Sequence, residues 1–363
     1  MMQLFLAPLD VWLFRNGKPF TAGEDHRAVS LFPPYPSVIQ GTLRSHHLFL
    51  HKDQVNVFDR EAVRAFIGDE QDYKGLRLRG PFIACWDGKT LQRYFPVPAD
   101  MAPAEGGYHP LRLQKAQQGD RLTSAPTPFL LLSDLPPTKR PGERWLTEQD
   151  LLAALGGQSV RAVEESKLFE REARFGIARD DRTRSSREGA LYEAEFIRPR
   201  ENVGLYVEVA GLEDWPPTGV LRMGGEGRGA WYTRLASASP LPSLAECFPD
   251  GRLPQSFKVY FATPTFFKRG WLPEDWANFF EPAPQLLAAA LNRYESVGGF
   301  DWANQTHKPA RRYVPAGSVY YFHSATPIRL KDSVLQTNAL SDDGAAIGYG
   351  QIFLQEVNDV PGN

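Results

Sequence analysis

The sequence has very little cysteine. Cys85 and Cys247 are the two cysteines among 363 residues, and neither belongs to a C-x-x-C pattern. A disulfide framework, or a zinc site made of cysteines, needs several such residues at short spacing. The sequence therefore excludes both, and it predicts two buried thiols, because free cysteine behaves as a small apolar residue.

Long apolar runs are also missing. The longest, such as residues 4–9 and 286–291, fall far short of the roughly 20 residues that a membrane-spanning helix requires. The opening residues MMQLFLAPLDVWLF have no basic region and no small-residue cleavage site, so they predict a first β-strand rather than a signal peptide. We expect no membrane contact, and the predicted location is the cytoplasm.

Neither sign of charge is in excess. Lys and Arg number 41 and Asp and Glu number 43, which gives a net charge of −2. Apolar residues make up 42% and aromatic residues 12%, as in a globular protein rather than a disordered one. A chain of 363 residues has room for two domains, each with its own core.

The two halves of the chain show the same order of predicted elements. In each half a strand comes first, a helix follows, and the half closes on a glycine-rich turn that runs into a strand. The strand candidates are residues 4–14, 203–211, 257–267 and 318–325, and the helix candidates are residues 37–50 and 284–294. A further strand is predicted at residues 77–86, and a further helix after Thr147, which is followed by Asp150 and closed by Gly156 and Gly157.

This pattern predicts an α+β chain of two tandem ferredoxin-like (RRM-like) domains with long insertions and glycine-rich loops. The predicted N-terminal domain is residues 1–240, with large insertions at about 52–198, and the C-terminal domain is residues 241–363. Insertions of this length usually carry function or contacts with other chains.

Arginine is concentrated in one stretch. The sequence REARFGIARDDRTRSSR, residues 171–187, holds six arginines and three acids but no lysine. Guanidinium groups favour bidentate contacts with phosphate or carboxylate, so this stretch is a candidate anion-binding segment and is expected to form a hairpin. The alternative is a solvated surface loop held by salt bridges.

Two glycine-rich turns lack the nucleotide-binding signatures. GGEGRG, residues 224–229, has no Gly-Lys-Ser/Thr ending, and GYG, residues 348–350, is too short for a dinucleotide fingerprint. Free backbone N–H groups in such turns are nevertheless able to bind phosphate. The alternative is a tight turn between two strands.

Histidine offers one enzymatic hypothesis. His26, in the segment GEDHR, has the chemistry of a general base for a ribose 2′-hydroxyl, although Glu24 and Asp25 equally suit a loop that is fixed by hydrogen bonds to its backbone. His47 and His51 have the i, i+4 spacing of zinc ligands but no glutamate between them, so no metal site is predicted.

Four ordered segments together resemble a known family. They are RNGKPFTAGEDHRAVSLFPPYPSVIQGTLRS (15–45), ARFGIARDDRTRSSREGALYEAEFIRP (173–199), RMGGEGRGA (222–230) and AAIGYGQIF (345–353). They resemble the RAMP superfamily of CRISPR-associated proteins, specifically subunit three of the type III-B (Cmr) effector complex.

The resemblance implies two ferredoxin-like domains and a non-catalytic role without cofactors or metals. Such a subunit grips the repeat-derived 5′ tag of the crRNA together with the neighbouring backbone RAMP subunit, and it docks the large palm-domain subunit. GEDHR is then a holding loop rather than a catalytic centre. Because the chain is not basic overall, affinity for RNA is expected to be shared with those neighbours.

The candidate RNA-binding residues lie in turns and segments that follow strands. Cations are expected to contact phosphates, and aromatic rings to stack on splayed bases. The candidates are Arg15, Lys18, His26, Arg27, Arg44, Arg179, Arg182, Arg184, Arg187, Gly224, Gly225, Gly227, Arg228, Lys268, Arg269, Arg311, Arg312 and Tyr313, with Tyr192, Arg222 and Lys308 beside them.

Two other functions stay open at this point. One is a metal-independent endoribonuclease of the same superfamily that cuts crRNA precursors, with His26 as its general base. The other is a purely structural scaffold subunit in which the glycine-rich loops only pack.

Overall fold

The computed structural model describes most of the chain. The described residues are 1–15, 27–116, 127–136, 138, 144–179, 182–183, 185–236, 238–301 and 306–358. Among them strands outnumber helices, and the strands pair mostly in antiparallel fashion. The α+β prediction is confirmed in this coarse form. None of the described helices has the length and apolar character needed to cross a bilayer.

The helices are short apart from the first. They are α1 (Pro36–Leu50), α2 (Arg60–Ile67), α3 (Glu148–Leu155), α4 (Glu165–Leu168), α5 (Leu244–Cys247) and α6 (Asp332–Thr337). Pro36 suits the first position of α1 because its fixed φ is already helical. The hydroxyl of Thr147 accepts a hydrogen bond from the Asp150 N–H at 3.2 Å, and Gly156 ends α3, as predicted.

The strands are numbered in chain order. They are β1 (Met2–Pro8), β2 (Arg27–Ala28), β3 (Arg77–Trp86), β4 (Leu91–Pro96), β5 (Met101–Ala104), β6 (Gly107–Pro110), β7 (Arg112–Lys115), β8 (Phe129–Leu132), β9 (Arg144–Thr147), β10 (Val163–Glu164), β11 (Phe169–Arg179), β12 (Ser186–Pro199), β13 (Val203–Ala210), β14 (Thr218–Arg222), β15 (Gly229–Arg234), β16 (Arg252–Leu253), β17 (Ser256–Phe261), β18 (Phe280–Glu281), β19 (Gln285–Ala290), β20 (Glu295–Asp301), β21 (Thr306–Tyr313), β22 (Val319–His323), β23 (Ile328–Leu330) and β24 (Ile352–Glu356).

The chain forms two compact units, each made of three stretches. Unit 1 comprises Met1–Leu91, Ser166–Ala238 and Ser296–Arg312, and unit 2 comprises Gln92–Glu165, Ser239–Glu295 and Tyr313–Asn363. The chain passes from one unit to the other after residues 91, 165, 238, 295 and 312, so each unit is discontinuous in the sequence.

Unit 1 is built on a sheet whose middle strand is β1. The order within this unit is β3, β13, β1, β15, β14, and each neighbouring pair is antiparallel. Helix α1 packs against β3 and β14 and buries Ile39 and Leu43, which are four residues apart on one face. A separate sheet in the order β11, β12, β2 belongs to the same unit.

Unit 2 is built on a sheet whose inner strands are β22 and β17. The order is β19, β22, β17, β24, again antiparallel throughout. Phe257, Phe280, Phe322 and Trp276 lie in its core, where their rings contact one another. Aromatic side chains thus supply much of the apolar surface that this sheet buries.

The two sheets share one topology. In unit 2 the order β19, β22, β17, β24 is second, third, first, fourth as counted along the chain. Unit 1 has the same order in β3, β13, β1, β15 once the additional edge strand β14, which precedes β15 in the chain, is left out. Helix α1 follows the first strand in unit 1, whereas α6 precedes the fourth strand in unit 2. The order of these four strands is shared, but the predicted repeat of a helix after the first strand is not, because residues 285–290 form strand β19.

Three local predictions are wrong. The predicted helix at residues 284–294 is strand β19, because cross-strand pairing with β22 overrides the helix propensity of leucine and alanine. The first strand ends at Pro8 rather than at Phe14. Cys85 is half-buried and Cys247 is exposed, although both thiols were expected to be buried.

A buried charge pair crosses the interior of unit 2. Lys258 on β17 donates to the Oδ2 atom of Asp100 at 2.8 Å, and the hydroxyl of Tyr321 donates to the same oxygen at 2.6 Å. Both side chains of the ion pair are almost fully buried. Burial, together with the nearby Asp100 carboxylate, raises the pKa of Tyr321 far above its ordinary value, so its hydroxyl keeps its proton.

Removal of the lysine is expected to destabilise unit 2 strongly. Lys258→Met leaves the Asp100 carboxylate buried without its cation, which typically costs about 3–5 kcal/mol. The measurement is urea denaturation of the variant and the wild type. Lys308→Met is the control, since Lys308 forms an exposed ion pair with Glu70 at 3.1 Å and pairs of this kind contribute about 1 kcal/mol at most. Equal losses in the two variants would contradict the assignment.

Candidate nucleic-acid interface

Three of the four segments that carry the family resemblance meet in unit 1. The segment after β1 pairs with β12 through Trp12 and Ile197, and β2 runs parallel to β12. The glycine-rich turn joins them, since the Gly225 N–H donates to the carbonyl of Leu13 at 2.8 Å. We call this meeting point the motif junction: residues 9–15, 27–30, the β11–β12 hairpin and residues 223–228.

An apolar cluster forms the base of the motif junction. Val11, Leu13, Ala28, Ala194 and Phe196 are buried together there. They come from three segments that are far apart in the sequence, and their burial therefore fixes these segments relative to one another.

Three arginines surround two carboxylates above this base. Arg174 and Arg198 donate through Nε to Glu172 at 2.6 and 2.7 Å, and their Nη atoms reach Asp10 at 3.5 and 3.2 Å. Arg228 lies 3.7 Å from Asp10 and forms a closer ion pair, at 3.3 Å, with Glu226. We call the side chains of the three arginines, Asp10 and Glu172 the arginine cluster. The side chains of Arg174 and Arg198 are 34% and 42% exposed, whereas that of Arg228 is 25% exposed and its Nε atom is buried.

The ring of Phe196 orients two of these arginines. The guanidinium carbons of Arg174 and Arg228 lie 4.8 and 4.7 Å from its centroid. A planar cation prefers this position over an aromatic face, where the ring quadrupole attracts it. Together with the carboxylates, the ring holds planar donors of the type that match phosphate oxygens.

The charge state of Glu172 depends on its arginine partners. Hydrogen bonds from Arg198 and Arg174 hold the pKa of Glu172 below its ordinary value. The same contacts raise the pKa of both arginines. Glu172, Arg174 and Arg198 therefore stay ionised at neutral pH and form a fixed set of charges.

Glycine is required in the turn next to this cluster. Gly224 has a φ of 88°, and a Cβ atom there would lie 2.8 Å from the carbonyl oxygen of Leu13. Gly225–Gly227 forms a short 3-10 turn, as expected of a tight connection between β14 and β15. The N–H group of Gly225 is used by Leu13, so it does not face solvent in the way that the predicted phosphate contact requires.

Most of the predicted RNA-binding residues of the first half lie at the motif junction or in the strands that form it. Arg15 pairs through its backbone with Ser30 at the motif junction, and Arg228 belongs to the arginine cluster. Arg182 is exposed. The backbones of Arg27, Arg179, Arg187 and Tyr192 lie in β2, β11 and β12, which form the predicted hairpin and its neighbour. Lys18, His26 and Arg184 lie outside the described residues.

Two predicted residues have internal roles. Arg44 donates to the Ile67 carbonyl at 2.9 Å and to Gln40 at 3.0 Å, so it connects α1 to the end of α2. Burial lowers the pKa of Arg44. Tyr313 is 8% exposed, and its ring lies 5.3 Å from Phe266 and 5.0 Å from Tyr349. A ring packed in this way has no open face for a base.

The remaining candidates are exposed residues that are far from the arginine cluster in the sequence. Lys268 forms an exposed ion pair with Glu274 at 2.9 Å, and Arg269 is exposed beside it. Arg311 and Arg312 are exposed on β21, in unit 1. In the described part of the chain no group of three or more His, Cys, Asp or Glu side chains has the arrangement of a metal site.

Sequence reasoning missed most of the arginine cluster. Asp10, Glu172, Arg198 and Phe196 were not proposed, and Arg174 was counted only as part of the arginine-rich stretch. The alternation of charged and apolar residues in EAEFIRP was a usable signal, because it places Phe196 and Arg198 on one face of β12. The pairing with Asp10 depends on tertiary contacts and had no local signal.

Gly224→Ala is expected to disturb the motif junction more than a comparable change elsewhere. The new Cβ atom combines an unfavourable positive φ with a clash against Leu13. Gly270→Ala is the matched control, since Gly270 has a φ of 84° but nothing within 4 Å of the position that an added methyl carbon would take. Thermal denaturation should show the larger loss for Gly224→Ala. A similar loss in both variants would mean that the close approach to Leu13 does not matter.

The arginine cluster is expected to weaken in acid. The pKa of Glu172 is lowered by folding, so its contribution to stability is complete above the unfolded pKa and is lost as pH falls through the folded pKa, below about pH 4. Hydrogen exchange of β11 and β12 amides, corrected for intrinsic rates, should show this loss. Glu172→Gln should remove it, whereas the control Glu170→Gln, at an exposed pair with Arg200, should keep it.

Chains in two solved structures are similar to this one. A chain in a structure described as "Cryo-EM structure of the Type III-B Cmr-beta bound to cognate target RNA" is 16% identical, with a TM-score of 0.48, and the match covers 98% of this chain and 99% of that one. A chain in a "Crystal structure of Csm3-Csm4 subcomplex in the type III-A CRISPR-Cas interference complex" is 11% identical, with a TM-score of 0.38, and the match covers 99% and 100% of the two chains.

A search of curated proteins by sequence gave no match. The model of the family described as "CRISPR-associated protein (Cas_Cmr3)" matches residues 4–357. This match spans all four segments that carried the resemblance seen in the sequence, and it confirms that resemblance. The chain belongs to the Cas_Cmr3 family of CRISPR-associated proteins.

Proposed function

We propose that this protein is a crRNA-binding subunit of a type III-B effector complex, and that it holds the repeat-derived 5′ tag of the crRNA without cutting it. The observation that carries the proposal is the motif junction. The segments that identify the family converge there on three planar cations, Arg174, Arg198 and Arg228, which lie next to the buried apolar cluster that contains Phe196.

The chemistry of the arginine cluster suits a single-stranded RNA backbone. Single strands are bound by cations that follow the phosphates and by planar groups on which bases stack. A guanidinium group supplies both a charge-assisted hydrogen bond and a flat face. Since the carboxylates of Asp10, Glu172 and Glu226 balance the charges of the three arginines, the cluster suits a short contact of defined geometry rather than long-range attraction.

We also propose that the chain consists of two ferredoxin-like domains and that it binds two other subunits of the complex. The strand order shared by the two sheets supports two ferredoxin-like domains, each of which keeps one of the two expected helices among the described residues. The near-neutral charge of the chain supports RNA binding shared with a neighbouring backbone subunit, next to the large palm-domain subunit.

Arg198→Gln is expected to weaken binding of tagged crRNA about tenfold, close to the loss of one charge-assisted hydrogen bond. The measurement is a titration of tagged crRNA, and of the same RNA with a scrambled tag, with the protein alone and with the backbone subunit added. The dependence of log K on log salt should fall by about 0.7 in this variant if one phosphate contact is lost.

Arg200→Gln is the matched control. Arg200 lies two positions further on, is similarly exposed, and pairs with Glu170 outside the arginine cluster. The Arg200→Gln protein should bind the tagged and the scrambled RNA with the same affinities as the wild type. Equal affinity for true and scrambled tags would contradict tag holding. Cleavage of repeat RNA in EDTA that disappears in His26→Ala would instead establish the endoribonuclease function.

A further inference from the structure

Strand β14 forms one edge of the unit 1 sheet. It stands last in the order of the described strands, with β15 as its neighbour. Two backbone hydrogen bonds fix how it pairs: the Arg234 N–H donates to the Pro217 carbonyl at 2.8 Å, and the Met223 N–H donates to the Arg228 carbonyl at 2.7 Å.

These two bonds determine which backbone groups point outward. Hydrogen-bonded positions alternate along an antiparallel strand, so residues 217, 219, 221 and 223 face β15. The N–H and C=O groups of Thr218, Val220 and Arg222 therefore point away from the sheet. Such a row of backbone donors and acceptors is a template for pairing with another extended chain.

The side chains of this edge present an apolar surface to solvent. Val220 and Trp231 lie directly opposite each other in the β14–β15 register and are 45% and 52% exposed. Leu9, 49% exposed, lies against Gly229 on the same face. The other face is packed, since Leu221 and Tyr232 are fully buried and α1 lies against β14. The hairpin is thus anchored on one face and open on the other.

Arg222 adds one charge to this surface. By the alternation along β14 its side chain lies on the same face as Val220, and it is exposed. Within the described residues it has no carboxylate partner. The positions of β14 and β15 that share this face are Thr218, Val220, Arg222, Gly229, Trp231 and Thr233, and none of them is acidic.

We propose that the outer edge of β14 binds an extended peptide segment of a partner protein, which adds to the sheet as a further strand. Alternate apolar side chains of that segment would cover Val220 and Trp231, and a carboxylate would pair with Arg222. Main-chain hydrogen bonds give affinity in this mode of recognition, and alternate side chains give specificity. The proposal uses none of the five side chains of the arginine cluster, although Leu9 adjoins Asp10 in the motif junction.

The chemistry of the edge favours a peptide over the other possible occupants. A peptide backbone supplies both donors and acceptors, as Val220 and its neighbours require, whereas the phosphates of RNA only accept hydrogen bonds. A second copy of this chain, paired antiparallel about Val220, would place Arg222 opposite Thr218 and leave it without an acid. A partner segment with an acidic residue supplies both the backbone donors and acceptors for β14 and a carboxylate for Arg222.

The test uses a short blocked peptide that alternates valine and threonine and carries one aspartate, with a lysine version as its counterpart. Calorimetric titration of the full chain should show binding of the aspartate peptide and at least tenfold weaker binding of the lysine peptide. Amide hydrogen exchange should slow at Val220 and Arg222 on binding, whereas the amides of residues 219 and 221, which already face β15, should not change.

Two variants separate the backbone from the side-chain contribution. Val220→Pro removes an outward N–H, which an edge strand tolerates, and it should weaken peptide binding at least tenfold. Val220→Thr, the control, keeps that N–H and should lose much less. Arg222→Glu should reverse the preference toward the lysine peptide. Protected amides at residues 219 and 221 in Val220→Pro show that the hairpin is still folded.

Several results would overturn the proposal. They are unchanged amide exchange at Val220 and Arg222 with the peptide in excess, equal peptide binding by Val220→Pro and Val220→Thr, or no reversal of the peptide preference in Arg222→Glu.

Two other results would identify a different occupant. A wild-type dimer that Val220→Pro dissociates would show that the occupant is a second copy. Quenching of Trp231 fluorescence by an RNA oligonucleotide, unchanged in Val220→Pro, would show a base-stacking surface instead. Neither result depends on the tagged-crRNA titration of Arg198→Gln.

Discussion

The hydrogen bond from the Gly225 N–H to the carbonyl of Leu13 connects the parts of unit 1 on which the candidate interface depends. It joins the turn that carries Arg228 to the segment that carries Asp10. It forms only because Gly224 has no side chain and adopts a positive φ, so that the turn approaches the backbone of Leu13 closely. Arg228, whose guanidinium group lies over the ring of Phe196, and Asp10 are thereby brought together.

The two sheets show how one strand order accommodates different surroundings. In unit 1 the first crossover is helix α1, and the third and fourth strands are joined through β14. In unit 2 the helix lies in the second crossover, as α6. What the two units share is a central first strand that is paired on both sides, β1 in unit 1 and β17 in unit 2.

Elements with strong local signals could be predicted from the sequence. The helix at α1, the capped start of α3 and the strands β3 and β13 agree with the prediction, because periodicity and capping act within a few residues. Strand β19 could not be predicted, since its leucine and alanine residues fit a helix equally well until β22 is in place. The same limit applies to the candidate site: Arg228 was found beside its glycines, while Asp10 and Phe196 acquire a role only through contacts between distant segments.

The carboxylates of the arginine cluster also have a thermodynamic consequence. Glu172 and Asp10 hold three long side chains in place before any ligand arrives. Immobilising such a side chain at an interface usually costs about 0.5–1.5 kcal/mol, and here that loss of rotamer entropy belongs to folding rather than to binding. An anion that meets Arg174, Arg198 and Arg228 therefore encounters donors whose directions are already set. Under the proposed function, geometry rather than net charge would then determine which anion fits.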